Sequence, residues 1–232
     1  MIISQKQKNT RINAVVTGIF FIMATATAIM GLKLYDPLLI GQNDYFQITR
    51  NVNQVALGAF FELLLVCSAI GTGIMLLPYL RLFNERLGLA YLCFRFLEAI
   101  LITVGIVSLL ALLSLSSFYS AGRSASPGNF IAEAQALRAI HDWTFILGPH
   151  FMLGINTFIY SYVFFKTGLV PKRLALMGLS GAVLIFIAAI LELFSVLQLN
   201  SVAVIIMAVP IASYEMILAA RLIAKGFNLN SE

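Results

Sequence analysis

The chain has 232 residues, of which 60% are hydrophobic and 11% charged, with a formal net charge of +5 and a mean hydropathy of +0.94. A soluble domain carries roughly 25% charged residues and about 45–50% apolar ones. A water-soluble globule, a disordered tail and a disulfide scaffold are therefore excluded, and an integral membrane protein remains.

A helix that crosses a hydrocarbon core needs about 20 apolar residues. Six stretches qualify: Ile12–Leu34, Val55–Leu80, Leu87–Leu115, Trp143–Phe165, Leu174–Leu197 and Val202–Ile223. Each is a continuous run, far longer than the ~10 alternating residues of a barrel strand. The predicted fold is all-α, a polytopic bundle of six transmembrane helices forming one domain over residues 1–232.

In chain order, Lys6, Lys8 and Arg11 precede Ile12–Met23 and the small residues Ala24-Thr25-Ala26, the pattern of a signal peptide. Apolar residues continue to Leu34, beyond a signal core, so the first span is expected to be retained. Longer segments, Tyr35–Gln54 and Ser116–Asp142, connect spans on one side, and short ones, Arg81–Arg86 and Lys166–Arg173, on the other. Ser124 to Asn129 reads as a turn with Asn129 as helix N-cap. After it, Phe130, Ala134, Leu137 and His141 share one helical face. That segment is either an amphipathic helix on the outer surface or an extension of the fourth span. Gly168 and Pro171 are helix-stop signals, Ala175, Gly178 and Ala182 form a stripe for close helix approach, and Pro210 is expected to kink the sixth span before Glu215. Phe61-Glu62-Leu63 and Leu191-Glu192-Leu193 look alike but occupy different depths of their spans, so they mark no internal repeat.

Lys and Arg set the orientation. Lys6, Lys8, Arg11, Arg81, Arg86, Lys166, Lys172, Arg173, Arg221 and Lys225 lie on one side, against Lys33, Arg50, Arg123 and Arg138 on the other. Both termini are therefore expected in the cytoplasm, and the basic excess needs no nucleic acid to explain it. Cys67 and Cys93 lie in apolar stretches without ligand-spaced partners and read as buried free thiols.

Ionisable residues inside spans cost roughly 2.5–3.5 kcal/mol each at mid-bilayer and are functional candidates by default. They are Glu62, Arg95, Glu98, Glu192 and Glu215, with His150 inside a span and His141-Asp142 at the edge of one. Arg95 and Glu98 stand about 60° apart on a helical wheel and can pair. A rise of ~1.5 Å per residue puts Arg95 and Glu215 at similar depths, roughly 12 Å from one membrane face, so Arg95 is expected to reach Glu98, Glu215 or both. Glu62, Glu192, His141, Asp142 and His150 lie toward the other face. Nine residues of regular helix place His141 and His150 on opposite faces unless Pro149 bends the chain. No metal site is expected there, and His150 is read as bonding a carbonyl freed at the kink. Four buried carboxylates against one Arg leave an excess of acid in the bundle, met by protonation or by a cationic ligand.

No nucleotide-binding loop, nucleophile elbow, HExxH or paired CxxC is present, and no cofactor is expected. The runs Asn53-Gln54-Val55 through Glu62-Leu63, Arg95-Phe96-Leu97-Glu98-Ala99 and Asp142-Trp143-Thr144-Phe145 carry a resemblance, as do Gly168 to Lys172 and Glu215 with Lys225-Gly226-Phe227-Asn228. Over nearly its whole length the chain resembles a bacterial integral-membrane family, domain of unknown function 4386. Arg221 and His150 depart from the pattern. The resemblance implies a multi-pass protein of the bacterial cytoplasmic (inner) membrane, and Glu62, Arg95, Glu98, Asp142 and Glu215 as a shared polar set; it supplies no activity.

The first expectation is a small-molecule or ion binding or transport protein. Its site draws on Arg95, Glu98, Glu215, Glu62, Asp142, His141 and Glu192. Its partners are the lipid bilayer and a small-molecule or cation ligand, with no nucleic acid. A structural or regulatory membrane subunit is the second expectation. An intramembrane enzyme using Glu62, Asp142 and His141 as acid–base groups is the third.

Overall fold

A computed structural model describes residues 2–36, 51–122, 127–199 and 201–228. Seven α-helices and one π-helical segment account for nearly all of them, and no strand occurs among the described residues. They are α1 (Ile2–Leu34), α2 (Val52–Phe83), α3 (Glu85–Ser120), α4 (Pro127–Phe145), α5 (Leu153–Thr167), α6 (Lys172–Leu193) and α7 (Val202–Lys225). The π segment, Ile146–Met152, joins α4 to α5. α1, from Thr10, and α2, α3, α6 and α7 are long and apolar enough to cross a membrane.

The fourth predicted span is helical throughout but not regular. Pro149 has no N–H to give, and around it the chain changes to i→i+5 bonding, so Trp143–Phe165 falls across α4, the π segment and α5. Other boundaries move as well. The connection expected over Arg81–Arg86 shrinks to Asn84, whose side chain accepts from the Leu87 amide at 3.1 Å and caps α3. Gly168, at φ 70°, ends α5 as its stop signal predicts. The fifth span ends at Leu193 rather than Leu197, with Ser195 in the left-handed region at φ 57°. α4 begins at Pro127, two residues before the expected N-cap Asn129, because proline's fixed φ and missing donor suit a first helical position. Most of the Tyr35–Gln54 segment, and residues 123–126 of the expected turn, lie outside the described residues.

Helices adjacent in sequence pack on each other, and α1 closes the ring against α7. Gly18 makes that closure possible, since a Cβ there would stand 2.8 Å from the Ala219 carbonyl oxygen. Arg11 fastens it by donating to the carbonyls of Leu222 and Ile223 at 3.0 and 2.6 Å in the last turn of α7, the first of which also accepts from the Gly226 amide. Both chain ends therefore sit at one end of the bundle, called here the base. Past α7, Phe227 inserts against Tyr79 and Phe164, and Asn228 bonds the α5–α6 turn through the Leu169 and Gly168 carbonyls.

The core differs between base and far half. In the base one continuous cluster draws on α1, α2, α3, α5, α6 and α7, with Phe21, Tyr91, Tyr160, Phe164 and Tyr214 fully buried. In the far half the buried residues separate into one cluster on α1–α4, around Tyr35, Ile106 and Phe130, and another of Ile185, Ala188 and Ile211 on α6 and α7. Phe130, Ala134 and His141 of α4 are buried, so this helix packs on α3 and runs on into the fourth predicted span rather than lying on an outer surface. The exterior is apolar, with Ile22, Ile74, Ile100, Val107, Val183 and Ile217 exposed, as a lipid-facing surface requires. Cys67 and Cys93 belong to that exterior. They are free, as expected, but exposed rather than buried, because each lies on the outward side of its helix.

Candidate functional site

Every helix of the ring contributes to a cavity of about 290 Å³ between the two far-half clusters and the base. Arg95, Glu98, Glu215 and His150 reach its wall. Arg95 and Glu98, three apart on α3, pair as their shared face predicts, with Nη1 donating to Oε2 at 2.7 Å and both side chains almost fully buried. Two neighbouring helices complete the arrangement. Arg95 Nε donates to Thr72 Oγ1 of α2 at 3.1 Å, and Asn156 Nδ2 of α5 donates to Glu98 Oε2 at 2.6 Å. Charge-assisted hydrogen bonds of this length are the strong kind, and burial removes competing water.

Glu215 shares the cavity but not the ion pair. It is 8% exposed, and its Oε1 has no hydrogen-bond partner in the protein. Of the partners expected for Arg95, which were Glu98, Glu215 or both, its side chain bonds Glu98 along its own helix.

His150 bonds no freed carbonyl. Its Nδ1 lies 2.6 Å from Glu192 Oε2 of α6, within hydrogen-bond distance. The physical reason is the π segment, since i→i+5 turns take up extra chain and rotate later residues away from a 100° count. Glu192 Oε1 is left buried without a partner.

A smaller cavity of about 70 Å³ lies further from the base, lined by Glu62, His141, Gly105, Thr144 and Pro149. It shares Leu32, Leu65, Ile102 and Phe145 with the larger one. Glu62 and His141, on α2 and α4, are 5% and 3% exposed and face this common space. His141 Nδ1 stands 3.3 Å from Asp142 Oδ1, and Asp142, about a third exposed, also meets Arg138 Nε at 3.8 Å. Tyr35, just beyond α1, packs edge-on to His141. Burial, and then the adjacent Glu62, hold the Tyr35 hydroxyl above its ordinary pKa, so it stays protonated.

The seven candidate residues thus divide into three places. Arg95, Glu98 and Glu215 line the large cavity, Glu62, His141 and Asp142 gather at the small one, and Glu192 meets the large one through His150. Thr72, Asn156 and Tyr35 were missed. Asn156 is fully buried within an apolar span and had the same signal as the acids, a polar group where polarity is costly. Thr72 had none, because hydroxyls in such helices commonly bond their own backbone, as Thr17 and Ser68 do.

The sequence model of one family, described as a domain of unknown function (DUF4386), matches residues 16–226. No curated protein and no solved structure matches the chain.

Proposed function

This chain belongs to the DUF4386 family, and from that premise we propose that it is a membrane protein whose central cavity binds a small molecule or ion. The observation that carries the reading is Glu215, an acid buried in the wall of a 290 Å³ cavity with an oxygen that no protein donor meets. Nearly all buried polar atoms find a partner, and a ligand is the simplest partner for this one. The cavity has room for about ten water-sized groups.

The topology that fits is six crossings, the fourth made by Trp143–Phe165 across the π segment. Its 23 residues would extend about 34 Å at ~1.5 Å per residue, enough for a bilayer core. The excess of basic residues at the base supports a cytoplasmic position for both termini, and the family resemblance supports a bacterial inner membrane. A reporter active only in the cytoplasm, fused after residue 232, is expected to be active, and the same reporter inserted at residues 123–126 silent. The reverse result would invert the orientation.

Native mass spectrometry of the protein in mild detergent tests the binding reading. A reproducible added mass on the wild-type chain, absent from folded Glu98→Gln and Glu215→Gln, is expected; an added mass retained by both variants would refute a role for these acids. A second reading, a structural subunit, is favoured by the bonds that tie Arg95 and Glu98 to each other, to Thr72 and to Asn156 Nδ2 across three helices. It predicts loss of thermal stability in the same variants with a bare wild-type mass.

A further inference from the structure

α1 and α7 run antiparallel, and Gly18 against Ala219 fixes their register. Counting outward from that contact sets Thr25 opposite Ala212, Ile29 opposite Ala208 and Leu32 opposite Ile205. All six residues line the large cavity. In the base these two helices touch backbone to backbone, whereas in the far half the cavity lies between them. Ile29 and Ile205, on its two lips, are 59% and 54% exposed on the apolar exterior. Here α7 contains Pro210, which removes one rung of its hydrogen-bond ladder, and its buried Ile211 packs with Ile185 and Ala188 of α6. Ile29 and Ile205 thus border the cavity and the apolar exterior at once, the placement of a side opening toward lipid.

The polar end of this opening has a definite chemistry. Glu215 Oε1 is more than nine-tenths buried and lacks a donor. Arg95, the cation in the wall, is already engaged by Glu98 and Thr72. An anionic head would have to lie beside the carboxyl groups of both Glu98 and Glu215, whereas an N–H cation supplies the donor that Glu215 Oε1 lacks.

We propose that the opening between α1 and α7 admits an amphiphile with an ammonium head from the bilayer. The N–H groups bond Glu215, and the hydrocarbon tail passes out between Ile29 and Ile205. This rests on the cavity being a binding site and names its route and ligand class.

The test follows radiolabelled dodecylamine binding to the full chain in phosphatidylcholine nanodiscs over time and at equilibrium, with empty nanodiscs as background. Saturable binding of one dodecylamine per chain is expected, with ethylamine and dodecanoate at least about tenfold weaker. Glu215→Gln keeps the side-chain shape and should weaken dodecylamine by about tenfold or more, since a hydrogen bond to a charged group is worth about 1.5–3 kcal/mol. Ile29→Trp with Ile205→Trp changes only exposed positions, so the protein should fold, and it should slow dodecylamine uptake about tenfold. Binding unchanged in Glu215→Gln overturns the head-group assignment. Ethylamine binding as tightly as dodecylamine, or uptake unchanged by the two tryptophans, overturns the lateral route while leaving a cation-binding cavity intact. No saturable dodecylamine binding overturns the whole inference, and the retained mass in the native experiment then judges the cavity reading separately.

Discussion

Around Tyr160, in the half of the bundle that holds both chain ends, six helices share one aromatic core; beyond Arg95 the buried residues part into two clusters with a cavity between them. The base has Tyr160 within 6.0 Å of the Phe21, Tyr91, Phe164 and Tyr214 rings, and Phe227 sealing Tyr79 from below. The far half has carboxyl groups, two histidines and voids instead. The difference separates two tasks: stability is concentrated where the helices are tied, which leaves the other half free to hold charge and open space.

The comparison can be broken most directly in the base. Phe164→Ala should cost about 3–5 kcal/mol, the usual range for emptying a buried phenylalanine site, and lower the thermal midpoint in detergent more than any far-half truncation of similar size, Phe130→Ala included. Equal losses at Phe164 and Phe130 would mean that stability is spread evenly after all. Next in size is Arg95→Ala, which strands Glu98 in a dry site at a cost of about 3–5 kcal/mol if the charge persists. The double variant Arg95→Met, Glu98→Gln should recover most of that loss, and a thermal double-mutant cycle reads the coupling. Additive losses would show that the two side chains do not act as a unit. Smaller still, His150→Phe should cost about 1–3 kcal/mol by leaving Glu192 without its partner, while adding Glu192→Leu should restore stability to near wild type. Cys67→Ser and Cys93→Ser should each shift stability by less than about 0.5 kcal/mol, being surface changes, and both wild-type thiols should react with a lipid-soluble maleimide. A protected thiol would mark a surface covered by something other than lipid.

The sequence was most legible where regular helix held. Continuous apolar runs gave the helices, and a 100° count put Arg95 and Glu98 on one face, where their 2.7 Å contact is found. Legibility ended at Pro149. The same count, used to set His141 against His150, does not hold through seven residues of π-helix, and reading His150 as the partner of a freed carbonyl overlooked Glu192 at 2.6 Å. Pairings between helices were also out of reach: nothing local tells Asn156 of α5 that Glu98 of α3 will lie 2.6 Å away. The division of the core was hidden for a related reason, since every span is similarly apolar along its length and only packing reveals where the side chains stop meeting.

The closure of α1 on α7 also bears on how the molecule is made. Arg11 and the carbonyl it caps on Leu222 are 211 residues apart in the chain, so during synthesis the first helix enters the membrane long before its partner exists. Until then the guanidinium has no carbonyls to meet, the notch at Gly18 is empty, and the aromatic base lacks Tyr214 and Phe227. Ring closure thus waits until α7 has been made. A chain cut short before α7 would lack the contacts that hold the ring shut, a physical difference by which the cell could tell such a chain from one that carries α7.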